Sequence, residues 1–140
     1  MASFVKVQQI TEKELGMELT YQGLITLPSG VLVYAIDGPL FFGAVGNFEQ
    51  TLAQTHTDPR ILIIRLRRVS FMDMTGLQSL EEAILNLKAR GIRIILCEAN
   101  ERVSKKLDNA GIFSTIGADN YFDDFAAAIA HCKVLSGENQ

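Results

Sequence analysis

The chain has 140 residues, 48% of them apolar, which suits one domain of ordinary size with a continuous core. Its 13 basic and 16 acidic residues are interspersed and leave a net charge of −3. That balance argues against nucleic acid as the main partner, because phosphate binding needs a basic face.

The N-terminus, Met1 to Ile10, lacks the long apolar stretch of a secretory signal. No segment approaches the ~20 apolar residues of a bilayer crossing, so direct membrane insertion is not expected. The same pattern suits a soluble chain or a soluble piece of a membrane protein. Residues 1–20 mix charge with scattered apolar positions and read as a linker or lead-in. Leu24 to Leu27 and Val31 to Ile36 read as strands flanking Pro28-Ser29-Gly30, a hairpin or a strand entering a sheet. Asp37-Gly38-Pro39 ends the second strand. Leu40-Phe41-Phe42 forms an apolar cluster, helix-like spacing follows at Val45, Phe48 and Leu52, and His56 to Pro59 is a break.

Beyond that break the order reads strand 61–66, loop 67–74, helix 75–90, strand 92–97, helix 100–110, a short segment near 113–116 and helix 120–133. Gly91 and Gly111 stand where helix C-termini favour a left-handed residue. Asn100 and Asp119 suit helix N-caps. Alternating strand and helix predicts a mostly parallel sheet covered by helices. The tail from Leu135 to Gln140 is expected to fray. The two cysteines, Cys97 and Cys132, lack metal-type spacing and suggest no disulfide framework. Cys97 ends a strand-like run and reads as a buried, reduced thiol in a cytosolic setting.

The most informative stretch is Val69-Ser70-Phe71-Met72-Asp73-Met74-Thr75-Gly76-Leu77. It follows the apolar run Ile61-Leu62-Ile63-Ile64-Arg65-Leu66 and precedes apolar positions Leu77, Leu80, Ile84 and Leu87 at helical spacing. A polar loop with Asp, Thr and Gly thus sits at the carboxyl end of a strand and opens a helix, where ligands and partners meet open α/β sheets. Thr75-Gly76-Leu77-Gln78 matches a capping box, with Thr75 as the cap. Capping is the favoured reading of Thr75. The alternative is a displayed hydroxyl that a kinase phosphorylates, placing phosphate at a helix N-terminus beside the Asp73 carboxylate.

Other motifs favour plain structural readings. The run from Gly38 to Gly46 lacks the Lys-Ser/Thr pair of a phosphate loop and the G-x-G-x-x-G spacing. Its two phenylalanines read as anchors of the first helix. Arg65, Arg67 and Arg68 cluster at a strand end and read as solvated or paired cations, with an anion or nucleotide contact at Arg67 and Arg68 as the minor alternative. His56 and His131 have no partner at ligand spacing, so no metal is assigned. Neither Ser70 nor Thr75 has a histidine in local reach, and Glu81-Glu82 and Asp123-Asp124 are neighbours that do not face one another on a helix. No catalytic set and no cofactor are expected.

The segments Ile36-Asp37-Gly38-Pro39-Leu40-Phe41-Phe42-Gly43, Ile61 to Leu66, Phe71 to Leu77, Arg90-Gly91-Ile92 and Ala110-Gly111-Ile112 together resemble the STAS domain over residues 20–133. STAS domains occur as anti-sigma factor antagonists and as cytoplasmic domains of SulP-type sulfate and anion transporters. Gly-Pro-Leu-Phe-Phe-Gly, and Ile116-Gly117 followed by Asn120-Tyr121-Phe122, resemble the transporter branch. The resemblance implies an α/β fold with a mixed, mostly parallel β-sheet and about four helices packed mainly on one face. It implies domain limits of 21–134, after a lead-in at 1–20 and before a tail at 135–140. It implies a non-catalytic regulatory domain of a bacterial SulP-type transporter, cytoplasmic at the inner face of the membrane. Implied partners are the transporter membrane domain, a regulatory protein and a second copy of the chain. The interaction loop would be Asp73, Met74, Thr75 and Gly76. The alternative is a free-standing anti-sigma factor antagonist-like switch, with Thr75 at the position where antagonists carry a phosphorylated hydroxyl.

Overall fold

A computed structural model describes residues 6–38 and 58–137. The elements are β1 (Lys6–Ile10), α1 (Gly16–Tyr21), β2 (Val31–Asp37), β3 (Ile61–Arg68), α2 (Met74–Ala89), β4 (Arg93–Cys97), α3 (Glu101–Asn109), α4 (Ile112–Ile116), a 3-10 turn at Ala118–Asn120, β5 (Tyr121–Phe122) and α5 (Phe125–Ser136). The strands form one mixed sheet in the order β1-β2-β3-β4-β5. Only β1 runs antiparallel to its neighbour among the described strands. The expected mixed, mostly parallel α/β sheet is therefore what forms.

β3 is the centre of this sheet. Its first six residues are buried, consistent with a parallel strand covered on both faces and hence apolar without alternation. Leu62, Ile64 and Leu66 point into a larger cluster with Leu80, Ile84 and Leu87 of α2, Val103 and Leu107 of α3, and Ile112 and Ile116 of α4. Ile61 and Ile63 point the other way, into a cluster with Leu15 and Leu19 and with Phe125, Ala128, Ile129 and Cys132 of α5. Three of the five described helices thus share one face. Each fully buried Leu or Ile contributes roughly 1.5–3 kcal/mol of transfer free energy, so the two clusters supply the main driving force.

Two expectations about the N-terminal region give way. Leu24 to Leu27 is not a strand: Ile25 is exposed, while Leu24 and Leu27 pack on the smaller cluster. The N–H of Leu24 donates to the Leu19 carbonyl (2.9 Å) and that of Leu27 to Glu12 Oε2 (2.7 Å). Both sides of β2 are already taken, by β1 and β3, so no ladder position remains for this segment. Within residues 1–20, read as a lead-in, Lys6–Ile10 supplies the edge strand and Leu15 and Leu19 enter the core. The turn at Pro28-Ser29-Gly30 does form, with the Val31 N–H donating to the Pro28 carbonyl.

The predicted helix 120–133 is likewise redrawn. Its start becomes the 3-10 turn and β5, and α5 begins at Phe125. Asp124, not Asp119, is the cap, its carboxylate accepting from the Ala127 N–H at 2.8 Å. The helix runs on to Ser136, with Leu135 against the smaller cluster, so the expected fraying does not begin at Leu135. Gly91 and Gly111 have φ of +85° and +77°, the left-handed conformation expected after α2 and α3. The 40–42 cluster, the spacing at Val45, Phe48 and Leu52, and His56 lie outside the described residues.

Candidate functional site

The loop between β3 and α2 is planted by two buried side chains, Val69 and Met72, with Ser70 and Phe71 exposed between them. Asn100 ties it to the next helix. Its Oδ1 caps α3 by accepting from the Val103 N–H (2.8 Å), and its Nδ2 donates to the Val69 carbonyl (3.2 Å). The N-cap predicted for Asn100 is thus present, with a loop-holding bond on the other end of the same amide.

Asp73 caps α2. It has extended backbone, and its Oδ1 accepts from the Gly76 N–H at 2.7 Å. The Thr75–Gln78 capping box does not form, because the helix starts at Met74 and places Thr75 inside the first turn. Asp is at least as good a cap as Thr, and its negative charge also suits the helix N-terminus. Thr75 is exposed, and so is Met74, while Gly76 and Leu77 are buried. The loop therefore presents Phe71, Met74 and Thr75 on a rigid corner. Asp73→Ala is expected to cost about 1 kcal/mol of unfolding free energy and Thr75→Ala less than about 0.5 kcal/mol. Urea denaturation of the two variants checks this, and the reverse order would restore Thr75 as the cap.

The three arginines at the end of β3 separate. Arg65 is buried under α1 and α5, whereas Arg67 and Arg68 are exposed. Arg65 Nε and Nη2 donate to Glu98 at 2.5 and 2.9 Å. Nη1 and Nη2 donate to Glu18, both at 3.1 Å. The guanidinium also lies 4.1 Å from the Phe125 ring centroid. Burial opposes its charge, but the hydrogen bonds to Glu98 and Glu18 outweigh that and hold its pKa above the ordinary value. Arg68 approaches Asp37 at 3.9 Å across the surface, a contact of small energetic weight. Arg67 and Arg68 line a small cavity of about 160 Å³ with Arg65 and Ile10.

Glu98 adopts φ +69° just beyond β4, the single non-glycine residue with positive φ among those described. That conformation aims its carboxylate at Arg65. Nothing in the sequence singled out Glu98 or Glu18, which lie 33 and 47 residues from Arg65. Asn100 was recognised as a cap but not as the brace of the loop.

Cys97 and Cys132 are both free and buried. Burial raises both pKa values, with the Glu98 charge adding to the rise at Cys97; Cys132 is pushed up to about 12. Such thiols pack as small apolar groups. Among the described residues, no group of three or more His, Cys, Asp or Glu could hold a metal ion, and no helix is long and apolar enough to cross a membrane.

The STAS domain model matches residues 24–128. A putative sulfate transporter of Bacillus subtilis, YvdB, is 29% identical over 94 residues, 66% of this chain and 18% of the relative. The STAS domain of a SulP transporter from Vibrio cholerae is 41% identical, with 91% of this chain and 99% of that one covered and a TM-score of 0.78. A sulfate transporter family protein from Wolinella succinogenes is 31% identical, with 80% and 92% covered and a TM-score of 0.72. The chain spans about a fifth of the length of the curated sulfate transporters it matches.

Proposed function

The chain belongs to the STAS domain family, and we propose that it is the non-catalytic regulatory domain of a bacterial SulP-type anion transporter, held at the cytosolic face of the membrane. The observation that carries this reading is the match to the Vibrio cholerae SulP STAS domain, 41% identical over nearly the whole of that chain. The domain's part is contact, not transport or turnover. The corner formed by Asp73, Met74, Thr75 and Gly76 is the contact surface, toward the transporter membrane domain or a regulatory protein. Its backbone is pinned by Asp73 and Asn100, so little ordering entropy is lost when a partner docks.

Met74→Asp tests the surface without disturbing the fold, because a carboxylate in the first turn suits the helix dipole. In the full-length transporter the substitution is expected to lower anion uptake several-fold at unchanged protein level. Unchanged uptake, with the variant domain shown to be folded, overturns the loop as the contact.

A second reading rests on Thr75. Thr75 is an exposed residue and is not the helix cap, which supports its hydroxyl as a kinase target. Phosphate there would meet the N–H groups of the α2 N-terminus and the repulsion of Asp73. Under this reading the chain is an anti-sigma factor antagonist-like switch. Incubation with a kinase encoded beside it and ATP, followed by intact mass measurement, decides: one phosphate added to the wild type and none to Thr75→Ala supports the switch, and equal labelling removes it.

A further inference from the structure

At the end of the sheet opposite the loop, where β3 and β4 begin, a cleft of about 560 Å³ opens beside the ends of α2 and α4. Its volume lies within the range of small-molecule sites. Arg60, Lys88 and Arg93 line it, and no carboxylate does. Among the described residues none of these three cations is in an ion pair, whereas Arg65, Arg68 and Arg90 each meet a carboxylate. Lys88 Nζ donates to the Thr115 carbonyl at 2.5 Å, and Arg93 Nη1 to the Asn120 amide oxygen at 3.4 Å. Asn120 is itself only 7% exposed and is anchored by its Nδ2 on the Ile116 carbonyl, 2.7 Å away. Two of the three cations are thus held in place by neutral acceptors and keep spare donors. In a chain of net charge −3, three positive charges with no carboxylate partner among the described residues line one concavity.

Helix-end electrostatics accounts for part of this. Lys88 stands in the last turn of α2, where a cation offsets the exposed carbonyls. Arg93 begins a strand and Arg60 precedes one, so neither serves a helix end. We propose that the cleft binds the phosphate groups of an anionic ligand, with Arg60, Lys88 and Arg93 as its contacts. Planar guanidinium forks and an ammonium point charge together match multivalent oxyanions. The site is independent of the loop between β3 and α2.

Titration calorimetry with inorganic pyrophosphate, and sedimentation with phosphatidylcholine vesicles with and without a phosphoinositide, test the site and the source of the phosphate. Saturable one-site binding of at least one probe is expected. Arg93→Gln and Arg60→Gln should each weaken it about tenfold, the loss of one charge-assisted contact. Arg60 makes no side-chain hydrogen bond or ion pair among the described residues, so Arg60→Gln guards against misfolding as the cause. The paired variant Arg67→Gln, Arg68→Gln, at the far end of β3, should bind as the wild type does. Pyrophosphate binding alone assigns a soluble phosphate, and vesicle retention alone assigns a lipid headgroup. Absence of binding to both probes, equal affinity in the cleft variants, or loss on changing Arg67 and Arg68 instead, overturns the proposal.

Discussion

Arg65→Ala is expected to lower the unfolding free energy by about 3–5 kcal/mol, the cost of breaking a buried ion pair from one side. Most of that cost arises at Glu98, whose side chain is 13% exposed and cannot rehydrate. Glu18, 41% exposed, regains water more readily. The loss would consume much of the ~5–15 kcal/mol typical of a domain. Removing both ends changes the outcome. The double variant Arg65→Met, Glu98→Leu leaves Glu98's charge and Arg65's charge both absent, and should recover most of the loss. Urea denaturation of the single and double variants measures both. A single-variant loss below about 1 kcal/mol would mean that the pair behaves as a hydrated surface contact.

This network also bears on the candidate site. Arg65 lies four residues before Val69, and Glu98 lies two before Asn100, which braces Val69. The ion pair joins the carboxyl ends of β3 and β4 on one face while Asn100 joins their outgoing segments. Loosening it should therefore free the loop as well as weaken the fold.

The second large effect is alkaline. Cys132 has an ordinary pKa of 9.0 and is pushed up to about 12 by burial; burial raises Cys97 as well. Above pH 9 the unfolded chain releases these protons while the folded chain retains them. The contribution is fully present below the unfolded pKa and is lost as pH rises toward the folded one. Each thiol costs somewhat more than about 1 kcal/mol per pH unit, so Cys132 alone accounts for on the order of 4 kcal/mol by pH 12. Denaturation at pH 7, 9 and 10.5 should show stability falling only above pH 9. Cys132→Ala should lower stability at pH 7 by its cavity but flatten the alkaline slope. An unchanged slope in that variant would assign the alkaline loss to other groups.

Local patterns made β3, α2 and β4 readable. The run from Ile61 to Leu66 is apolar because both faces are covered, and Leu77, Leu80, Ile84 and Leu87 repeat at the helical period. β1 was not readable, because Val7 and Ile10 are its only apolar residues and they fall on opposite faces. Its strand character comes from the ladder with β2. At the candidate site the loop and its Asp, Thr and Gly were evident, but which residue caps α2 was not. Asp73 and Thr75 both fit, and the choice turns on where the helix begins, a matter of two residues.

The amino-acid order alone determined the alternation of apolar and polar segments, and with it the class of sheet, the place of the loop after β3, and the turns at Gly91 and Gly111. These rest on interactions between residues a few positions apart, so the chain carries them in plain view. The tertiary structure decided that Arg65 is a buried partner of Glu18 and Glu98 while Arg67 and Arg68 remain outside. It also decided that Arg60, Lys88 and Arg93 share a cleft. Charge pairing depends on distances between residues tens of positions apart, and only packing sets those distances.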